Sequence, residues 1–213
     1  MGDWAAARGA DVDVLHAPVV SAWPDPRGAS AVVALGSDRS VHASKDPWIA
    51  AQLSFLRDAH AAGAPVLGIC FGGQALAAAL GATVSRATET EIGWIDVEGE
   101  DGYGGRWFTW HEDVFDLPPG ATELARAASG LQAFAVGASV GLQFHPEVTP
   151  EIMDEWVRAY RHELDQEGVD PDRLLAETNA KSEEHKRTSW RLLEGYLERV
   201  AGLADRADRE EAG

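Results

Sequence analysis

Between Ser30 and Leu80 the chain alternates short apolar runs with longer stretches of helical periodicity. Ser30–Leu35 is a short apolar run closed by Gly36, the pattern of a buried strand. Asp46 stands in an N-cap position with Pro47 at the first helical residue, which predicts a helix to about Ala62, stopped by Gly63. Pro65–Ile69 reads as a second buried strand. It runs straight into Cys70 and a helix over Phe71–Leu80. Strand, helix, strand, helix in this order predicts an α/β fold, a mostly parallel open sheet with helices on both faces.

The flanking segments are less regular. Met1–Gly9 reads as a short helix closed by Gly9, Val12–His16 alternates as a strand does, and Pro18–Gly28 is a loop carrying Pro18, Pro24 and Pro26. From Ala82 to Phe144 short β-like runs are separated by Gly and Pro: Ala82–Ser85, Gly93–Val97, Arg106–Trp110, Thr122–Ala127, Leu131–Val136 and Val140–Phe144. They predict hairpins and a small antiparallel extension of the sheet. Pro150–Glu163 is helical. So is the strongly charged stretch from Pro171 to about Arg209, with Trp190, Leu193, Leu197, Val200 and Leu203 in an apolar stripe at helical spacing. That stripe suits docking onto the same domain or a homodimer interface. The segment Asp205–Gly213 reads as a frayed tail.

Composition narrows the partners. A chain of 213 residues suits one domain, or one with an appendage, and 45% hydrophobic content supports a real core. The net charge of −17 repels nucleic-acid phosphates and anionic membranes, so neither is expected as a partner. No stretch approaches the roughly 18 apolar residues of a membrane helix, and Met1-Gly2-Asp3-Trp4 lacks the features of a signal peptide. The single cysteine precludes an internal disulfide and fits a reducing cytoplasm.

That cysteine sits in Gly68-Ile69-Cys70-Phe71-Gly72-Gly73-Gln74, at the corner where a buried strand meets a helix. This is the logic of a nucleophile elbow. Glycines on both sides allow a sharp turn and a close substrate approach. The side chain is thrust out at the C-terminal edge of the sheet, where open α/β sheets bind ligands. The following helix points its positive end at the sulfur, which favours thiolate over thiol. The Phe71 N–H is positioned to donate to an oxyanion. The competing account is a buried packing cysteine.

A thiolate nucleophile needs a base, and the base needs an orienting group. Among seven histidines, His145 stands at the end of an apolar strand in Gln143-Phe144-His145-Pro146-Glu147. Pro146 biases His145 toward extended backbone, and in such a segment residues i and i+2 face the same side. Glu147 can therefore hold the imidazole tautomer and stabilise the imidazolium.

Gly-x-Cys-x-Gly-x-Gln followed by His-Pro-Glu resembles the triad (class I) glutamine amidotransferases. The resemblance covers roughly residues 1–160. The stretch Trp110–Pro118 is similar to the glutaminase-like group related to the amidotransferase domain of GMP synthase. The resemblance implies a flavodoxin-like domain over residues 1–165, with 166–213 as a charged helical extension. It implies that Cys70 attacks the glutamine side-chain amide to give a γ-glutamyl thioester, that His145 shuttles protons and that Glu147 orients it. The loop at Gly36 would supply the second oxyanion donor beside Phe71. Gln74 and the backbone around His111 and Glu112 would seat glutamine, and Glu91-x-Gly93-Trp94 would form a loop beside the pocket. No cofactor or metal is implied.

Two departures bear on this. The family's apolar first strand has no counterpart ahead of the first helix, and Gly36-Ser37-Asp38 replaces the common Gly-Gly-Pro. The expected activity is a glutaminase that releases ammonia to a separate synthetase. A stand-alone γ-glutamyl amide or peptide hydrolase, an inactive glutamine-binding or regulatory module, and an elbow-cysteine peptidase are the alternatives.

Overall fold

The computed structural model describes the backbone of residues 2–43, 45–100 and 102–211, and their side chains up to residue 200 apart from residue 199. The elements in chain order are α1 (Gly2–Ala6), two short 3-10 turns, β1 (Val32–Ala34), α2 (Pro47–Ala61), β2 (Val66–Ile69) and α3 (Phe71–Ala79). Then come β3 (Val84–Gly99), β4 (Gly105–Phe115), β5 (Thr122–Ala127), β6 (Gly130–Val136) and β7 (Ser139–Leu142). The helices α4 (Pro150–Ala159), α5 (Arg161–Glu167) and α6 (Pro171–Glu211) follow.

The α/β class and the helices on both faces are as expected. The sheet itself is mixed, seven strands in the order β1-β2-β7-β6-β5-β3-β4. Strands β1, β2 and β7 run parallel, and every other pairing is antiparallel. The antiparallel part is thus larger than a small extension. Connections set this balance: β6 and β7 are joined by Gly137-Ala138 alone, too short for the crossover a parallel pair needs.

Along β2 the side chains alternate between two cores. Val66 faces a layer with Phe55, Leu56, Phe71 and Phe134, built on α2 and α3. Leu67 and Ile69 face the opposite layer, where Leu192, Leu193 and Tyr196 of α6 pack with Val140, Leu142 and Trp107. Each fully buried leucine contributes about 1.5–3 kcal/mol. The apolar stripe of α6 therefore docks onto its own sheet through Leu193, Leu197 and Val200. Leu203, and the side chains of the tail expected from Asp205, lie outside the described residues.

Three local expectations are corrected. Ala82–Ser85 and Gly93–Val97 are not separate strands but parts of β3, because no Gly or Pro interrupts Arg86–Ile92 and the pairing with β4, broken by a bulge between Arg86 and Glu91, resumes on the far side. Glu91, Gly93 and Trp94 consequently lie within a strand rather than in a loop. Val12–His16 alternates but forms no strand. Alternation supplies a face, not a hydrogen-bonding neighbour, and Val12 and Val14 stay exposed. Finally, Ser30–Leu35 is not a fully buried strand. β1 is short and lies at the sheet edge, with Val33 and Leu35 exposed, and nothing among the described residues pairs with its outer side.

Candidate active site

Cys70 follows β2 directly, and its main chain is bent into φ 51°, ψ −112°. It is the one non-glycine residue at positive φ among the described residues. Such backbone costs of order 1–3 kcal/mol and persists only where its surroundings enforce it. Here they do. The Cys70 N–H donates to the Leu142 carbonyl at 2.9 Å, and the Cys70 carbonyl accepts from the Gln74 N–H at 2.9 Å. Helix α3 is pressed against the sheet by residues that lack a Cβ. A Cβ on Gly72 would lie 2.0 Å from the Ala34 carbonyl oxygen, and one on Gly73 would lie 2.3 Å from that of Leu142. One on Gly68 would meet the Gly72 oxygen at 2.4 Å. The sequence Gly-Ile-Cys-Phe-Gly-Gly thus lets strand, corner and helix approach more closely than any other side chains would allow.

The parallel pairing of β2 with β7, in register at Ile69 and Leu142, brings the second half of the site alongside. The chain leaves β7 through a bend at Gln143 and Phe144. The His145 N–H then donates to the Phe108 carbonyl at 2.8 Å. His145 Nδ1 lies 2.6 Å from Glu147 Oε1. The other ring nitrogen, Nε2, is buried without a conventional hydrogen-bond partner, and the ring interacts electrostatically with Cys70. Burial alone would push this imidazole down. The charge of Glu147 and the interaction with Cys70 overcome it and hold the His145 pKa well above the ordinary histidine value.

Gly36 leaves β1, the other parallel neighbour of β2, and a Cβ there would sit 3.4 Å from His145 Cε1. The loops after β1, β2 and β7 therefore converge at one sheet edge. Phe71 opens α3, so its N–H belongs to the unpaired first turn. This geometry provides a thiol, an imidazole with its orienting carboxylate, and main-chain groups beside them.

The remaining expected residues divide. Gln74 is buried, and its Nε2 donates to the Asp113 carbonyl at 3.0 Å, so it clamps β4 against α3. His111 is buried in β4 with Nε2 3.1 Å from Glu91 Oε2, which also accepts from Ser129 at 3.1 Å. Burial opposes ionisation of Glu91, but the hydrogen bonds from His111 and Ser129 outweigh it and hold the carboxyl below its usual range. The Glu112 side chain is partly exposed and pairs with Arg86 rather than with the Cys70 group. Among the described residues no cluster of three or more His, Cys, Asp or Glu side chains is arranged to hold a metal ion.

Sequence reasoning missed several neighbours. The Trp110 carbonyl lies 3.6 Å from Cys70 Sγ, and Gln143 Nε2 lies 3.8 Å from it. Gln143 stands only two residues before His145, but the bend at Gln143 and Phe144 means that strand alternation does not place it. Trp156 of α4 stands edge-on to the His145 ring at 4.9 Å. Asp113 Oδ2 accepts from Ser40 at 2.5 Å and lies 3.2 Å from His42 Nδ1, which ties the loop after β1 to β4. Nothing in the sequence pattern singles out these last contacts.

Comparison with known proteins bears on the family and the fold. The family described as "Glutamine amidotransferase class-I" matches residues 41–159. GMP synthase [glutamine-hydrolyzing] of Aeropyrum pernix is 34% identical over 148 residues, covering 62% of this chain and 28% of that protein. The same-named protein of Thermomicrobium roseum is 45% identical over 96 residues, 40% of this chain and 18% of that protein. The chain thus spans less than a third of the length of these relatives. Among solved structures, a glutamine amidotransferase from Thermotoga maritima superposes with a TM-score of 0.84 at 32% identity, covering 92% of this chain and 91% of that one. A glutamine amidotransferase from Methylobacillus flagellatus gives 0.85 at 25% identity, covering 93% and 88%. With its fold, its convergent loops and more than half its length matched, this chain belongs to the class I glutamine amidotransferase family.

Proposed function

We propose that this chain hydrolyses the side-chain amide of glutamine and delivers the ammonia to a separate synthetase. The observation that carries this reading is the His145–Glu147 pair, 2.6 Å apart, beside the strained Cys70 corner. In this mechanism the Cys70 thiol passes its proton to His145, the sulfur attacks the amide carbon, and the carbonyl electron pair moves onto oxygen. The main chain at Phe71 and Gly36 stabilises that oxyanion. The His145 imidazolium gives its proton to the departing nitrogen, the C–N bond breaks, and ammonia leaves behind a γ-glutamyl thioester. His145 then takes a proton from water, hydroxide attacks the thioester carbon, and glutamate leaves as the thiol is restored. Glu147 keeps the imidazole in one tautomer and offsets its charge.

Glutamine would be seated by Gln74 and by the main chain at His111 and Glu112, with Gln74 acting through the Asp113 carbonyl it holds. The amidotransferase-like unit is read as residues 1–165 and the charged extension as 166–213; within the latter, Leu192, Leu193 and Tyr196 of α6 pack on one face of the sheet. The name GMP synthase borne by the sequence relatives supports a synthetase as the ammonia acceptor's site.

The test is to supply glutamine and measure glutamate and ammonia with the wild-type chain and Cys70→Ala. Cys70-dependent release of both in equal amounts supports the reading. Absence of any such release, even with a candidate synthetase present, sinks it.

A further inference from the structure

The loop that leaves β1 carries Gly36 past the candidate site and is then fastened by a buried carboxyl group. Ser40 Oγ donates to Asp113 Oδ2 at 2.5 Å, and His42 Nδ1 lies 3.2 Å from the same oxygen. Ser40 Oγ also lies 2.9 Å from His42 Nδ1 and accepts from the Ala43 N–H at 3.1 Å, so side chains and main chain meet at one point. Asp113 is 5% exposed. Its main-chain carbonyl accepts from Gln74 at 3.0 Å, and Gln74 sits one helical turn beyond Cys70. Asp113 thus grips two elements of the site, the loop after β1 with its side chain and α3 with its main chain.

The stretch before Ser40 is loosely held. Residues 35–39 are exposed, and no proline stiffens Gly36-Ser37-Asp38. Arg39 stands 3.7 Å from Asp38 and 3.5 Å from Asp46, but these side chains are open to solvent, where such pairs constrain little. The loop starts from Ala34, which is buried and meets Gly72 of α3 closely. Between Ala34 and Ser40 lies Gly36, where a Cβ would sit 3.4 Å from His145 Cε1. Filling the interior with Asp113 costs free energy, because its Oδ1 is buried and makes no hydrogen bond among the described residues. Packing alone would favour an apolar side chain. The bonds to Ser40 and His42 are what the carboxyl group adds.

We propose that Asp113, Ser40 and His42 are positioning residues: by gripping the loop after β1 they hold the Gly36 main chain beside His145, where it donates to the oxyanion. The proposal rests on the glutaminase reading above, in which Gly36 and Phe71 supply the two oxyanion donors.

The experiment uses the full chain, as wild type, Ser40→Ala, the double variant Ser40→Ala with His42→Ala, and Ser40→Thr, which keeps the hydroxyl. Melting curves report folding, amide hydrogen exchange reports how firmly residues 36–40 are held, and kcat and KM are measured with glutamine. Iodoacetamide alkylates the chain's single cysteine by displacing iodide from a saturated carbon, so it reports on Cys70 and His145 without forming an oxyanion. We expect Ser40→Ala and the double variant to speed exchange over residues 36–40. They should lower kcat about 10- to 100-fold, most in the double variant, since a misplaced oxyanion donor costs this much. KM and alkylation stay near wild type, and Ser40→Thr recovers kcat. Alkylation that falls in step with kcat overturns the proposal, because it assigns the effect to general packing. Unchanged exchange overturns it too, as does faster exchange with wild-type kcat. Should the double variant fail to fold, Ser40→Ala, at a partly exposed position, decides by the same readings. Cys70→Ala separates the two failures. Turnover that survives it sinks the glutaminase reading and this proposal with it, whereas Cys70-dependent turnover indifferent to Ser40→Ala sinks this proposal alone.

Discussion

His145 Nδ1 and Glu147 Oε1 lie 2.6 Å apart across a single proline, in a segment anchored to Phe108. His145 is buried and Glu147 largely shielded, so the carboxylate acts on the imidazole through little intervening water. This contact, with that to Cys70, keeps the His145 pKa high against the opposing effect of burial.

Removing the carboxylate charge should therefore lower the His145 pKa. In Glu147→Gln, NMR titration of the ring is expected to show protonation at lower pH than in the wild type. Glutamine turnover should fall about 10²- to 10⁴-fold, the range for losing a positioned proton-transfer system. An unchanged titration would show that Glu147 does not set the charge on His145.

The same pair makes stability depend on pH with a definite sign. The folded pKa of His145 lies above the 6.5 of an unperturbed histidine. Its contribution is therefore fully present below about 6.5 and is lost as pH rises through the raised folded value. Urea denaturation across this window should show the wild type losing stability more steeply than Glu147→Gln. Parallel curves for the two would contradict the linkage.

Gly72→Ala opposes two effects of known size. Alanine in a helix gains about 1 kcal/mol over glycine. Its Cβ, however, would stand 2.0 Å from the Ala34 carbonyl oxygen, which is backbone and cannot rotate away. Overpacking of this kind costs about 1–3 kcal/mol or more. The expected net effect is destabilisation with a large loss of turnover, because α3 must shift and Cys70 caps it. Chemical denaturation and a glutaminase assay check it, and a stabilised active variant would refute the close approach.

Gln74→Met keeps length but loses the donor to the Asp113 carbonyl. An acceptor left unsatisfied in the interior costs about 1–3 kcal/mol. The variant should melt at lower temperature and show a raised KM for glutamine, since β4 carries the main chain read as seating it. Glu112→Ala, whose side chain is partly exposed and paired with Arg86, should leave stability within about 0.5 kcal/mol. A raised KM in Gln74→Met without loss of stability would mean that Gln74 touches glutamine directly.

Cys70 was legible because a strand-to-helix corner with Gly68, Gly72 and Gly73 is a local feature. The His145–Glu147 pair was legible because the two residues stand two apart around Pro146, although a turn at Pro146 and Glu147 rather than a strand brings them together. The limits of β3 were not legible, since what joins its two halves is pairing with β4 on both sides of a bulge between Arg86 and Glu91. Val12–His16 shows the converse, where alternation without a neighbouring strand yields no strand.

The α/β class, the corner at Cys70 and the closeness of His145 to Glu147 can be read from the chain alone. Each of these depends on residues a few positions apart, where backbone dihedrals and periodicity suffice. Only the tertiary structure decided that β2 and β7 lie side by side, which sets Cys70 next to His145. Only it turned Gln74 onto Asp113, Glu112 onto Arg86, and Trp156 of α4 edge-on to His145. Those contacts join segments far apart in the chain. They are chosen by packing against both faces of the sheet, and no local pattern contains them.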